Sequence, residues 1–208
     1  MDDNSIDKTY IKVILLGDTA VGKTNIILRY YKDYFDPKSL STIGSNFIIK
    51  KLIRGNTEYN LHIWDTTGQE KYHSVTKLFV QGSKIVLLVY SVENRESFDK
   101  LDYWYKTVLE ICNDGENVVF AIVGNKNDLF DDEACVITEE EGQNYAKEKK
   151  AIFKLVSAKV DKKGIDSLFD EVLDEYIKIN KDVKVEESFK LGKIKKEKKK
   201  KDNKKKFC

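Results

Sequence analysis

The segment Gly17-Asp18-Thr19-Ala20-Val21-Gly22-Lys23-Thr24 follows the apolar run Val13-Ile14-Leu15-Leu16 and precedes residues with helical patterning. A G-x-x-x-x-G-K-[ST] loop between a strand and a helix turns backbone N–H groups inward around phosphates. Lys23 then brings a point charge to the outer phosphates, and the Thr24 hydroxyl can ligate Mg²⁺. The competing reading is a glycine turn before a helix carrying an ordinary exposed lysine. The strand on one side and the helix on the other favour the phosphate loop.

The rest of the chain continues the alternation. Apolar runs suited to strands fall near 10–16, 47–53, 58–64, 84–91, 118–124 and 152–156, with helical patterns between most of them. Gly55-Asn56 reads as a tight reversal joining the second and third strands into a hairpin, while the remaining connections need helical crossovers. Phe98, Leu101, Tyr105, Val108 and Cys112 form one helical stripe, and Ile165, Leu168, Phe169, Val172, Leu173 and Tyr176 form another. Thr138-Glu139-Glu140-Glu141 offers a capping box. The expected fold is α/β: a six-stranded, mostly parallel sheet with helices on both faces.

The domain reading is an extension over 1–8, one domain over 9–180 and a basic tail over 181–208. A chain of 208 residues with 41% hydrophobic residues can bury one sizeable core. Its apolar runs fall far short of the roughly 20 residues that span a bilayer, and "MDDNSIDKTY" has no signal-peptide pattern, so the expected compartment is the cytosol. Three cysteines, Cys112, Cys135 and Cys208, are widely spaced and suggest neither disulfides nor zinc. His62 and His73 read as ordinary sheet and loop residues. Net charge is +2, yet residues 190–208 carry eleven lysines against Glu197 and Asp202, which leaves −7 on the first 189 residues. From about 181 the apolar periodicity fails, and the expectation is a disordered tail.

Ligands of open α/β sheets sit outside the carboxyl ends of the strands, so a real site should draw on several loops at that edge. Asp65-Thr66-Thr67-Gly68 follows the third strand, Gly124-Asn125-Lys126-Asn127-Asp128 the fifth, and Ser157-Ala158-Lys159 the sixth. With the first loop, four strand ends converge. In this order and spacing, "GDTAVGKT", "DTTGQE", "NKND" and "SAK" resemble the Ras superfamily of small GTPases over about residues 9–180.

The resemblance implies GTP/GDP as ligand with Mg²⁺. Asp18, Thr19, Ala20, Val21, Gly22, Lys23 and Thr24 would wrap the phosphates, the first three by backbone contact alone. Asn125, Lys126 and Asp128 would hold the guanine, and Ser157, Ala158 and Lys159 would border it, with the Ala158 N–H meeting the guanine carbonyl and Phe35 the base. A bidentate Asp128 carboxylate suits the guanine N1–H and exocyclic amine, whereas ATP would leave a buried acid unpaired. Thr24, Thr42 and, through water, Asp65 would serve the metal. Gly68 would sense the γ-phosphate and Gln69 would orient the attacking water, with Lys23 and Thr42 completing the catalytic set. Segments 35–46 and 66–80 would relax on hydrolysis. They contain no arginine, so fast turnover would need one from a partner.

Trp64, "STIGSNF" and "LVYSV" look like the Rab branch, and Phe47, Trp64 and Phe79 fall where Rab proteins place an effector-read aromatic triad. Core packing is the plainer reading for those rings. Asn46, where an acid is usual, and "LFVQGS" depart from the branch pattern. A terminal Cys208 resembles a Rab prenylation site, and lysines beside it would add attraction to an anionic surface; a solvated or nucleic-acid-binding tail is the alternative. The implied activity is GTP hydrolysis, slow without an activating protein, by a membrane-anchored switch in vesicle traffic. It would sit on the cytoplasmic face of endomembranes or the plasma membrane and cycle with cytosol. Expected partners are an exchange factor, an activating protein, a dissociation inhibitor and effectors, meeting residues 35–47 and 64–80, with no nucleic acid. Thr67 replaces the family's usual alanine and supports a second reading, a slowly hydrolysing GTP-loaded scaffold. A P-loop ATPase or kinase would leave Asn125 and Asp128 without use.

Overall fold

In a computed structural model the described residues are 7–38, 46–66, 73–112, 117–129 and 135–181. Thr42, Thr67, Gly68, Gln69 and Cys208, most of the basic tail and the first six residues lie outside them.

Six strands make one sheet in the order β2-β3-β1-β4-β5-β6. They are β1 (Asp7–Leu16), β2 (Asn46–Arg54), β3 (Thr57–Asp65), β4 (Ile85–Ser91), β5 (Val119–Asn125) and β6 (Ile152–Leu155). Among the described residues only the β2–β3 pair is antiparallel, closed by a turn in which Gly55 takes φ +59. Residues 7 and 8, read from sequence as an extension, pair with Thr57 and Glu58 of β3. The helices are α1 (Lys23–Lys32), α2 (His73–Val80), α3 (Arg95–Asp99), α4 (Leu101–Ile111), α5 (Glu139–Glu148) and α6 over 162–181. His73 therefore opens a helix rather than sitting in a loop.

Alternation along β1 sends side chains to two cores. Ile11, Val13 and Leu15 join Ile26, Leu168, Phe169 and Val172 on the α1/α6 side, while Ile14 and Leu16 join Val80, Leu101, Trp104 and Ala146 on the α2–α5 side. β4 is buried throughout, as a central parallel strand covered on both faces must be. The capping box at Thr138 forms as expected: Thr138 accepts from the Glu141 N–H, and Glu141 reaches back to the Thr138 N–H. The expected stripe from Phe98 to Cys112 is two helices broken at Lys100, and its deepest residues are Leu101, Trp104, Thr107 and Val108. Trp104 takes the place that the spacing assigned to Tyr105.

Candidate functional site

The carboxyl ends of the parallel strands β1, β3, β5 and β6 lie at one edge of the sheet, and buried polar groups gather there. Lys23, Asp65, Thr66, Asn125 and Ser157 are all buried, and most buried polar groups of a folded protein are hydrogen-bonded.

The first loop is held by close backbone approach. A Cβ on Gly17 would lie 2.1 Å from the Val89 carbonyl oxygen, and one on Gly22 would lie 2.3 Å from Asn125 Nδ2. Gly22, at φ +95, starts α1, whose own first turn carries no acid, so the positive end of the helix stays open to an anion brought by another element or a ligand. Lys23 Nζ donates to the carbonyls of Gly17 and Asp18, both at 2.8 Å. Thr24 Oγ1 donates to Asp65 Oδ2 at 2.8 Å, bringing together two hard oxygens, one from the first turn of α1 and one from the end of β3. Asp18 has more than the backbone role expected of it: its carboxylate accepts from the Thr19 N–H at 2.8 Å and from Lys100 Nζ at 3.0 Å. Thr66, given no function by sequence reasoning, donates to the Leu15 carbonyl at 2.6 Å and ties the end of β3 to β1.

Asn125 joins the two ends of the site. Its Nδ2 donates to the Val21 carbonyl at 2.8 Å, and its Oδ1 accepts from the Ala158 N–H at 3.1 Å. Both polar atoms of that side chain are therefore engaged with protein, and the Ala158 N–H points at Asn125. Ser157 Oγ donates to Asp128 Oδ1 at 2.6 Å and accepts from the N–H groups of Lys159 and Val160. Asp128 Oδ2 lies 3.5 Å from Lys159 Nζ. Lys126 sits in the left-handed region at φ +67, its ammonium paired with Glu93. Arg29, which sequence reasoning missed, donates to the carbonyls of Ala158 and Lys159 at 2.8 and 2.7 Å. No motif marks a side chain that binds main-chain carbonyls 130 positions away.

Phe35 packs against the α1/α6 core cluster, which includes Val21 and Ala158. The rings of Phe47 and Trp64 are 5.1 Å apart and those of Trp64 and Phe79 6.0 Å. Phe47 is 53% exposed, more than plain core packing allows. Among the described residues no cluster of His, Cys, Asp and Glu suits a metal by itself, and no helix is long and apolar enough to cross a membrane.

A glycine loop after β1 joined through one asparagine to the segment after β6 is the arrangement against which known proteins can be compared. The sequence model of the Ras family matches residues 12–178. The chain belongs to the Ras family. Its relatives include the Ras-related protein Rab-18 of Caenorhabditis elegans, 35% identical over 85% of this chain and 84% of that one. The human Ras-related protein Rab-17 is 39% identical over 80% and 76% respectively. The GTP-binding protein ypt3 of Schizosaccharomyces pombe is 35% identical over 81% and 76%. This Ras-family chain is thus a Rab-like small GTPase, and guanine nucleotide is its ligand.

Proposed function

We propose that the protein is a Mg²⁺-dependent GTP/GDP switch acting at membranes in vesicle traffic. The observation that carries this reading is the 2.8 Å approach of Thr24 Oγ1 to Asp65 Oδ2 beside the buried Lys23. Hard oxygens of this kind suit Mg²⁺, which binds by one or two protein groups together with phosphate oxygens. When bound, the metal neutralises charge developing on the phosphates. Lys23 holds the outer phosphates, Thr24 ligates the ion and Asp65 orients water on it. Thr42, Gly68 and Gln69, all outside the described residues, complete the γ-phosphate side. Asp128 receives the guanine N1–H and amine, held in orientation by Ser157, while Lys126 and Phe35 flank the base and Asn125 keeps the two loops in register.

Effectors read the exposed Phe47 with Trp64 and Phe79, and exchange, activating and dissociation-inhibiting proteins meet the same side. The lysine tail and a prenylated Cys208 hold the protein on the cytoplasmic face of endomembranes or the plasma membrane. Calorimetry with GTP and ATP, followed by single-turnover hydrolysis with Mg²⁺ or EDTA, tests the site. GTP should bind at least a hundredfold more tightly than ATP, and EDTA should speed its release. A preference for ATP overturns the proposal, whereas tight GTP binding without turnover leaves the slowly hydrolysing scaffold suggested by Thr67.

A further inference from the structure

Helix α1 ends in a way that folds the following chain back along it. Asp33 adopts φ +51, and its N–H and that of Tyr34 donate to the carbonyls of Arg29 and Leu28 at 3.1 and 3.4 Å. Arg29 Nη1 reaches the Asp33 carbonyl at 3.2 Å and its carboxylate at 2.8 Å, holding that left-handed turn. Three residues later the chain lies beside Asn25, two helical turns back from Lys32.

There the Asn25 carboxamide takes both backbone groups of one residue. Its Nδ2 donates to the Asp36 carbonyl at 3.1 Å, and its Oδ1 accepts from the Asp36 N–H at 2.9 Å. Pro37 follows, and a residue before proline is biased to extended backbone, in which N–H and C=O project to the same side, as they do toward a strand neighbour. A carboxamide matches that pair of groups as another peptide would. On the far side, the Lys38 N–H donates to Asp36 Oδ1 at 2.9 Å. Phe35 lies between the two anchor points, half-buried against the core cluster.

We infer that Asn25 is a positioning residue for nucleotide retention: its carboxamide latches residue 36 to α1 and so fixes the Phe35 ring at the base. The inference rests on the reading above that Phe35 meets guanine. Among the described residues, the bonds of the latch come from α1 and residues 33–38, so the latch should hold GDP and GTP alike.

The test is dissociation of a fluorescent GDP and of a non-hydrolysable GTP analogue from the full chain, in a double-mutant cycle. Asn25→Ala should raise both rates by about tenfold, equivalent to about 1.4 kcal/mol, and Asn25→Asp, which keeps only the acceptor, by less. In a Phe35→Ala background, Asn25→Ala should add less than about twofold, because the two residues act as one unit. A general loss of stability would instead multiply the rates independently. If Phe35→Ala leaves release unchanged, the reading of Phe35 at the base falls, and the latch with it. If Phe35→Ala speeds release but Asn25→Ala does not, or Asn25→Ala acts equally in both backgrounds, the latch alone is overturned.

Discussion

Single side chains at this site spend their polar atoms on main chain. Thr66 is the plainest case: its hydroxyl is buried and donates to the Leu15 carbonyl. Thr66→Val keeps the shape but leaves that oxygen short of a donor, so unfolding free energy should fall by about 1–3 kcal/mol in urea denaturation, with the m-value unchanged. Arg29 depends on geometry more than on charge. Its planar fork meets two carbonyls of the loop that follows β6 and the Asp33 carboxylate together, and a lysine offers one point charge in place of the fork. Arg29→Lys should therefore speed GDP release several-fold with little change in melting temperature, measured by fluorescence decay and by calorimetry. The opposite pattern would make Arg29 a stability residue only. Neither role was legible in the sequence, because hydrogen bonds to backbone leave no residue pattern. The phosphate loop, by contrast, announces itself through Gly17 and Gly22, where a Cβ would collide with Val89 or Asn125.

Elements were easier to read than their contacts. Every strand, the hairpin at Gly55 and the cap at Thr138 follow from periodicity and turn chemistry, whereas the break at Lys100 does not. The stripe through Phe98 and Leu101 continues across it, and Lys100 keeps right-handed backbone with its N–H donating to the Glu96 carbonyl, so no turn residue marks the boundary. The start of α5 carries a pH prediction. Arg95 bonds the Glu141 carboxylate, which also accepts from the Thr138 N–H, and together they pull Glu141 down to about 2. A depressed carboxylate contributes stability above its unfolded pKa, about 4.3, and that contribution is lost as pH falls toward 2. Glu141→Gln should lower the melting temperature at pH 7 by a degree or two and flatten its fall between pH 4.5 and 2.5. Because the pair is largely exposed, its worth stays below about 1 kcal/mol. Further along α5, a Cβ on Gly142 would sit 2.5 Å from Phe153 Cε2 and 2.6 Å from the Tyr90 hydroxyl. Gly142→Ala should cost about 1–3 kcal/mol by overpacking, despite the better helix propensity of alanine, and urea denaturation would show it.

For the whole molecule, charge is divided by position: +9 on residues 190–208 against −7 on the rest. A basic tail gains roughly 1 kcal/mol per lysine near an anionic surface, and the gain fades as salt shortens the screening length. Binding of the unlipidated chain to vesicles containing phosphatidylserine should fall steeply from 50 to 500 mM salt and vanish when the lysines of 190–208 are replaced by glutamine, as a flotation assay would show. The sheet has its own long-range property. The side chain of Asn125 links residues 104 positions behind it and 33 ahead of it, so the site cannot mature from any local piece of chain. Contacts at such separations form late, once loop closure has been offset by the rest of the core. A nascent chain leaving the ribosome therefore completes its first three strands well before it can hold nucleotide. Guanine nucleotide first meets the protein as a ligand of an almost finished fold, and its binding then stabilises that fold by an amount that grows with the logarithm of the nucleotide concentration.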